Sequence, residues 1–182
     1  MCEKKSILTI AGADPSGGAG IQRDIKTFEH FGLNALSVIT SLTAQNYKMV
    51  AGIFPISPSF VIKQINCLRK EYRIDVIKMG MLARADIIIA LANLFKKAKF
   101  EKLVLDPVLK SSSNYPLKDK KGISSIKKYL LPFVTIVTPN LDEAAILSDK
   151  KKIVSIDDMK RAAIKIKGLG PKFVLVKGGH LN

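Results

Sequence analysis

Long apolar runs are missing from this sequence. The longest, Ile87 to Phe95, is already interrupted by Asn93, whereas a membrane-crossing helix needs about 20 apolar residues. The opening Met1-Cys2-Glu3-Lys4-Lys5 leads straight into the strand-like Ile7-Leu8-Thr9-Ile10. No apolar segment ending in a small-residue cleavage site is present there, so no signal peptide is expected. Cysteine is scarce: Cys2 and Cys67 stand alone, without metal-site spacing. Two such thiols suit a reducing cytosol, and a cytoplasmic location is expected. Acidic residues are also few, 15 against 30 Lys+Arg, for a net charge of +15. That excess invites a nucleic-acid reading. Against it, the lysines are scattered through helices and loops without interleaved aromatics. No helix-turn-helix, zinc-knuckle or RNP pattern accompanies them. The charge reads as a solvated lysine-rich surface, and neither a nucleic acid nor a membrane is an expected partner.

With no internal repeat and no low-complexity linker, residues 1–182 read as one domain. A hydrophobic content of 47% makes it a globular one. Short β-branched runs alternate with helix-period segments. Strands are predicted over 6–12, 35–43, 76–79, 102–105, 135–138 and 173–177. Helices are predicted over 20–31, 58–71, 84–97, 123–130, 141–147 and 156–167, with Ser57 and Ser155 as N-caps. This alternation implies βαβ units, hence an α/β fold with a mostly parallel sheet covered by helices on both faces. Several strands are continuous apolar runs, as burial of both faces requires. In such sheets ligands bind beyond the carboxyl ends of the strands.

The first strand is followed by Gly12-Ala13-Asp14-Pro15-Ser16-Gly17-Gly18-Ala19-Gly20 and then a helix. Glycines let backbone approach a ligand closely, and free N–H groups at a helix start favour an anion or polar acceptor. The loop is not a Walker A motif, because Gly18-Ala19 stands where Lys-Ser/Thr is required. Nor is it the dinucleotide fingerprint, since Arg23 occupies the third position after Gly20. A merely tight turn is the competing reading. Asp24, one turn into the helix over the same loop, favours a ligand site.

Taken in order, several segments resemble the hydroxymethylpyrimidine (phosphomethylpyrimidine) kinases of thiamine biosynthesis, in the ribokinase superfamily. They are 8–24, 37–46, Lys78-Met79-Gly80-Met81-Leu82, Val104-Leu105-Asp106-Pro107-Val108, Thr138-Pro139-Asn140 with Glu143-Ala144, and Val176-Lys177-Gly178-Gly179-His180. The resemblance spans essentially the whole chain and implies a ribokinase-like three-layer sandwich. It also implies transfer of the ATP γ-phosphate to hydroxymethylpyrimidine and then to its monophosphate, with Mg²⁺. On the same basis Gly12, Asp24, Gln45, Met81 and Val108 line the pyrimidine pocket. Asp24 and Gln45 would meet the amino group and ring nitrogens. Met81 and Val108 would wall the ring, although ordinary core is the competing reading for both and the favoured one for Met81 by itself. Asp106, Asn140, Glu143 and Lys177 would serve the nucleotide phosphates, and Asp106 and Glu143 the metal. Lys177 read alone is a surface lysine. His30 reads as a surface residue at a helix C-terminus, and His180 receives no task.

Ribokinase-type enzymes complete phosphoryl transfer with a Gly-Thr-Gly loop that carries the anion hole and the proton-accepting residue. No Gly-Thr-Gly occurs in these 182 residues, and Cys67 falls at the wrong place in the motif order to stand in. No catalytic residue is therefore assigned. The chain is expected to be C-terminally incomplete: a fragment, a decayed gene product or one half of a complemented pair. Weak pyrimidine binding, little turnover and self-association, most simply as a dimer, are the corresponding expectations. A pyridoxal-type vitamin kinase and a non-catalytic remnant are the alternatives.

Overall fold

The computed structural model describes residues 4–109 and 120–179. The cysteine at position 2 and His180 lie outside these. The element order is β1 (Ser6–Gly12), α1 (Gly20–His30), β2 (Asn34–Gln45), β3 (Val50–Pro55), α2 (Pro58–Glu71), β4 (Val76–Met79), α3 (Ala85–Lys97) and β5 (Leu103–Leu105). Then follow α4 (Lys120–Ser125), β6 (Ile136–Val137), α5 (Leu141–Leu147), α6 (Ile156–Lys167) and β7 (Phe173–Val174). The seven strands form one sheet in the order β3-β2-β1-β4-β5-β6-β7. All neighbours are parallel except β2–β3. The architecture is the three-layer α/β sandwich expected from the sequence.

The parallel strands follow from their composition. Leu8, Ile10, Ile77, Met79, Leu103, Leu105 and Val137 are essentially inaccessible to solvent, so both faces of the sheet centre are covered. Against them pack Val61 and Ile65 of α2, Ile87, Ile88, Leu91 and Phe95 of α3, and Ala162 and Ile166 of α6. The starts of α2 and α6 obey the capping rule. Ser57 Oγ accepts from the Phe60 amide at 3.3 Å with Pro58 at the first helical position, and Ser155 Oγ accepts from the Asp158 amide at 3.1 Å. Among the described residues no helix is long and apolar enough to cross a membrane.

The sheet departs from expectation at one edge. Residues 50–55 form an antiparallel strand on β2, with Leu42 opposite Phe54 and Thr43 opposite Ile53. Gly52 and Pro55 make this segment read as loop, but an outermost strand tolerates a proline where a central one does not. The helix expected over 123–130 instead begins at Lys120 and widens into a π turn at Ile126–Leu130. The last strand is shorter than expected, and Lys177 continues only as an isolated parallel bridge to Asn140.

Strand order reverses direction at β1: the chain steps from β1 to β2 on one side, then to β4 on the other. Such a switch point opens a crevice at the carboxyl ends of the two strands. Gly20 sits at its rim with φ of +57°, and a Cβ there would overlap the carbonyl oxygen of Gly12. Gly20→Ala is therefore expected to lose roughly 2–4 kcal/mol in urea denaturation, combining left-handed strain with a backbone clash.

Candidate active site

The crevice at the β1/β4 switch point is an open cleft with a cavity volume of about 340 Å³. Strands β1 to β5 and helix α1 contribute to it, β3 through Val50. Gly12 ends β1, Asp24 projects from α1, Gln45 ends β2, Met81 follows β4, and Asp106 and Val108 follow β5. All five residues expected to line a pyrimidine pocket thus face one cavity, although 96 positions separate Gly12 from Val108 in the chain.

The glycine-rich loop is organised from within. The buried Asp14 carboxylate accepts from the Ser16 amide and hydroxyl at 2.9 and 2.7 Å through Oδ1, and from the Ala19 amide at 2.8 Å through Oδ2. The Asp14 amide donates to Gln22 Oε1 at 2.8 Å. An internal carboxylate thus takes one of the helix-start donors that the sequence suggested for a ligand. This is the local turn that Asp-x-Ser sequences favour.

Asp24 is not a free acceptor. Lys78 Nζ donates to both its oxygens, at 2.8 and 2.7 Å, and Thr9 Oγ1 donates to Oδ2 at 2.6 Å. The reason lies in the sheet. Thr9 and Lys78 are register partners on β1 and β4, so both side chains leave the same face, where α1 brings Asp24 down. Lys78 lines the cleft as well, a role the sequence did not suggest. On β2 Thr43 Oγ1 donates to the Ala13 carbonyl at 2.8 Å and lies 3.3 Å from Gln45 Oε1. Strand β2 and the loop after β1 are thereby tied together beside Gln45.

Adjoining the cleft, a second group gathers at the ends of β5, β6 and β7. Lys177 Nζ donates to Asp106 Oδ1 at 2.9 Å. Asn140 caps α5: its side chain accepts from the Glu143 amide at 2.9 Å, while Glu143 Oε2 accepts from the Asn140 amide at 2.9 Å. This reciprocal pair is a capping box. It fixes Glu143 so that Oε1 also meets the Leu109 amide, at 3.4 Å, just beyond β5. Burial pushes the Glu143 carboxyl above the usual glutamate range. The Asn140 amide opposes that shift, and the nearby charge of Asp106 adds to it. Asp106 belongs to both groups, lining the cleft and facing Lys177. His30 is an exposed residue in the last turn of α1, as read from sequence.

The profile of the phosphomethylpyrimidine kinase family matches residues 14–182. The chain belongs to that family. The hydroxymethylpyrimidine/phosphomethylpyrimidine kinase of Escherichia coli is 42% identical over 96% of this chain, which covers 66% of that protein. A phosphomethylpyrimidine kinase structure from Clostridium difficile superposes with a TM-score of 0.91 at 44% identity, covering 98% of this chain and 77% of the other. The pyridoxal kinase of Staphylococcus aureus in complex with pyridoxal superposes with a TM-score of 0.87 at 34% identity, covering 97% and 66%. The chain spans between 32% and 68% of the length of curated relatives it matches.

Kinases of this superfamily imply a magnesium ion. Among the described residues no group of three or more His, Cys, Asp or Glu side chains is arranged to hold a metal. Asp106 and Glu143 are nevertheless near enough for one charge to perturb the other. Magnesium commonly takes one or two carboxylates and completes its shell with water and substrate phosphate. The donor set fits an ion shared with a nucleotide rather than an all-protein cage.

Proposed function

We propose that this chain supplies the substrate pocket and phosphate anchor of an ATP-dependent kinase acting on hydroxymethylpyrimidine and on its monophosphate. The observation that carries the reading is the convergence of Gly12, Asp24, Gln45, Met81 and Val108 on one cavity beside Asp106. Its volume suits a single-ring compound. Polar groups come from two elements: Gln45 of β2 offers both a donor and an acceptor, and Asp24 of α1, whose Oδ1 takes only the Lys78 bond, keeps a lone pair there for an exocyclic amine. Met81 and Val108 supply apolar contact to the ring.

Asp106 and Glu143 would hold Mg²⁺, which when bound neutralises charge on the transferring phosphoryl group. Asn140 fixes Glu143 by capping, and Lys177 stands by Asp106 as a point charge for a phosphate oxygen. No described residue is assigned the anion hole or the proton-accepting role.

A second reading, phosphorylation of pyridoxal, rests on the likeness to the pyridoxal kinase of Staphylococcus aureus. Calorimetry separates the two. Hydroxymethylpyrimidine is expected to bind the chain more tightly than pyridoxal, and the opposite ranking would transfer the assignment to the pyridine substrate.

A further inference from the structure

Two neighbouring residues of β2, Thr40 and Ser41, are polar and wholly inaccessible to solvent. Thr40 Oγ1 donates to the Met81 carbonyl at 2.6 Å, which fixes the backbone of Met81. The Ser41 hydroxyl finds no hydrogen-bond partner among the described residues. Buried hydroxyls left unpartnered destabilise a fold, and those that persist call for an explanation. This one lies beside the cleft. A Cβ built on Gly12 would stand 2.9 Å from Ser41 Oγ and would overlap the terminal methyl of Met81. Hydroxyl and methyl therefore meet at one face of Gly12, a residue of the cleft wall.

Met81 is suited to withdraw from that face. Its side chain is half-buried and unbranched, with several rotatable bonds, and thioethers reorient at little cost. Its backbone is held separately, by Thr40.

We infer that Ser41 is a specificity-determining residue of the cleft: when a ring enters, the Met81 methyl moves off Gly12 and the Ser41 hydroxyl donates to a ring nitrogen of the ligand. An aminopyrimidine has two ring nitrogens and a pyridine one, so this contact favours the pyrimidine. The inference rests on the pyrimidine reading given above.

The test is calorimetric titration of the wild-type and Ser41→Ala chains. The ligands are hydroxymethylpyrimidine and its two pyridine counterparts, each with one ring nitrogen replaced by CH. Ser41→Ala is expected to bind the pyrimidine about 3- to 10-fold more weakly, the effect of one hydrogen bond. Its thermal midpoint should be unchanged or raised, because an unpartnered hydroxyl has been removed; a merely structural serine would lower it. One pyridine counterpart should bind both chains equally. Ser41→Cys, close in size and a poor donor, should reproduce the loss if the alanine variant folds badly. Undiminished pyrimidine affinity in either variant overturns the inference. Failure of the wild type to bind the pyrimidine would instead strike the functional reading, and the inference would fall with it.

Discussion

Glu143→Gln is expected to remove the magnesium dependence of nucleotide binding while making the free chain more resistant to heat at neutral pH. Both effects have one origin. Burial raises the Glu143 carboxyl above the ordinary glutamate range, so the folded chain holds that proton more tightly than the unfolded chain does. The stability associated with the proton is fully present below the unfolded value and is lost as pH rises through the raised folded value. Glutamine does not titrate. The variant's advantage should therefore be absent near pH 4, grow as the wild type ionises, and level off at higher pH. Capping survives in part, since the glutamine oxygen can still accept from the Asn140 amide where Oε2 does at 2.9 Å. With magnesium and ATP added the order should reverse, because a ligand bound by the folded state stabilises the wild type by mass action. Loss of one metal-binding carboxylate should weaken magnesium-dependent nucleotide affinity at least about 10-fold. Paired melting curves from pH 4 to 8, with and without Mg·ATP, measure all of this. A variant that binds Mg·ATP like the wild type would remove Glu143 from the phosphate site.

How much of this was legible beforehand depends on the distance over which each feature is determined. Elements set by near neighbours were readable. The bounds of α2, α5 and α6 agree with the sequence because each carries its own start signal: Ser57 with Pro58, Asn140 with Glu143, and Ser155 with Asp158. Strand β1 was readable as a doubly buried run, and β4 as a short strand whose buried Ile77 and Met79 alternate with half-buried Val76 and Lys78. Strand β3 was not, since its strand character comes from pairing with β2 across a turn in which Asn46 Oδ1 accepts from the Lys48 and Met49 amides. Propensity within Val50–Pro55 gives little sign of that partner.

The site divides along the same line. Motif order named the residues that meet in the cleft, but not what each one touches. The clasp of Asp24 by Lys78 and Thr9 depends on the β1–β4 register, which joins positions 69 apart (Thr9 and Lys78) and follows only from the assembled sheet. The Lys177–Asp106 contact is equally remote, with 71 positions between its members. One local signal was available and unused. Asp14 followed two residues later by Ser16 is an Asx-turn pattern, and it announced that the loop's first carboxylate would serve the loop itself.

Breaking the clasp from one side only should cost both stability and pyrimidine affinity. Asp24→Ala leaves the Lys78 ammonium and the Thr9 hydroxyl without their acceptor, in side-chain surroundings only 23% exposed for Lys78. A fully buried pair would lose about 3–5 kcal/mol on such a cut. Partial solvent access here reduces the expectation to about 1–3 kcal/mol. Removing both charges is a different experiment. In Asp24→Ala/Lys78→Met no unpaired ammonium remains, and methionine retains most of the lysine stem's packing. The double variant should therefore recover much of the stability lost by the single one, because contacting residues are not additive. Pyrimidine affinity should not recover, since the acceptor proposed for the exocyclic amine is gone in both. Urea denaturation and calorimetry on wild type, both single variants and the double variant give the full cycle. If the double variant binds hydroxymethylpyrimidine as tightly as the wild type, the pair serves only as scaffold beneath the pocket. If it remains as unstable as Asp24→Ala, the cost lies in Thr9 and the α1 contact rather than in the ion pair.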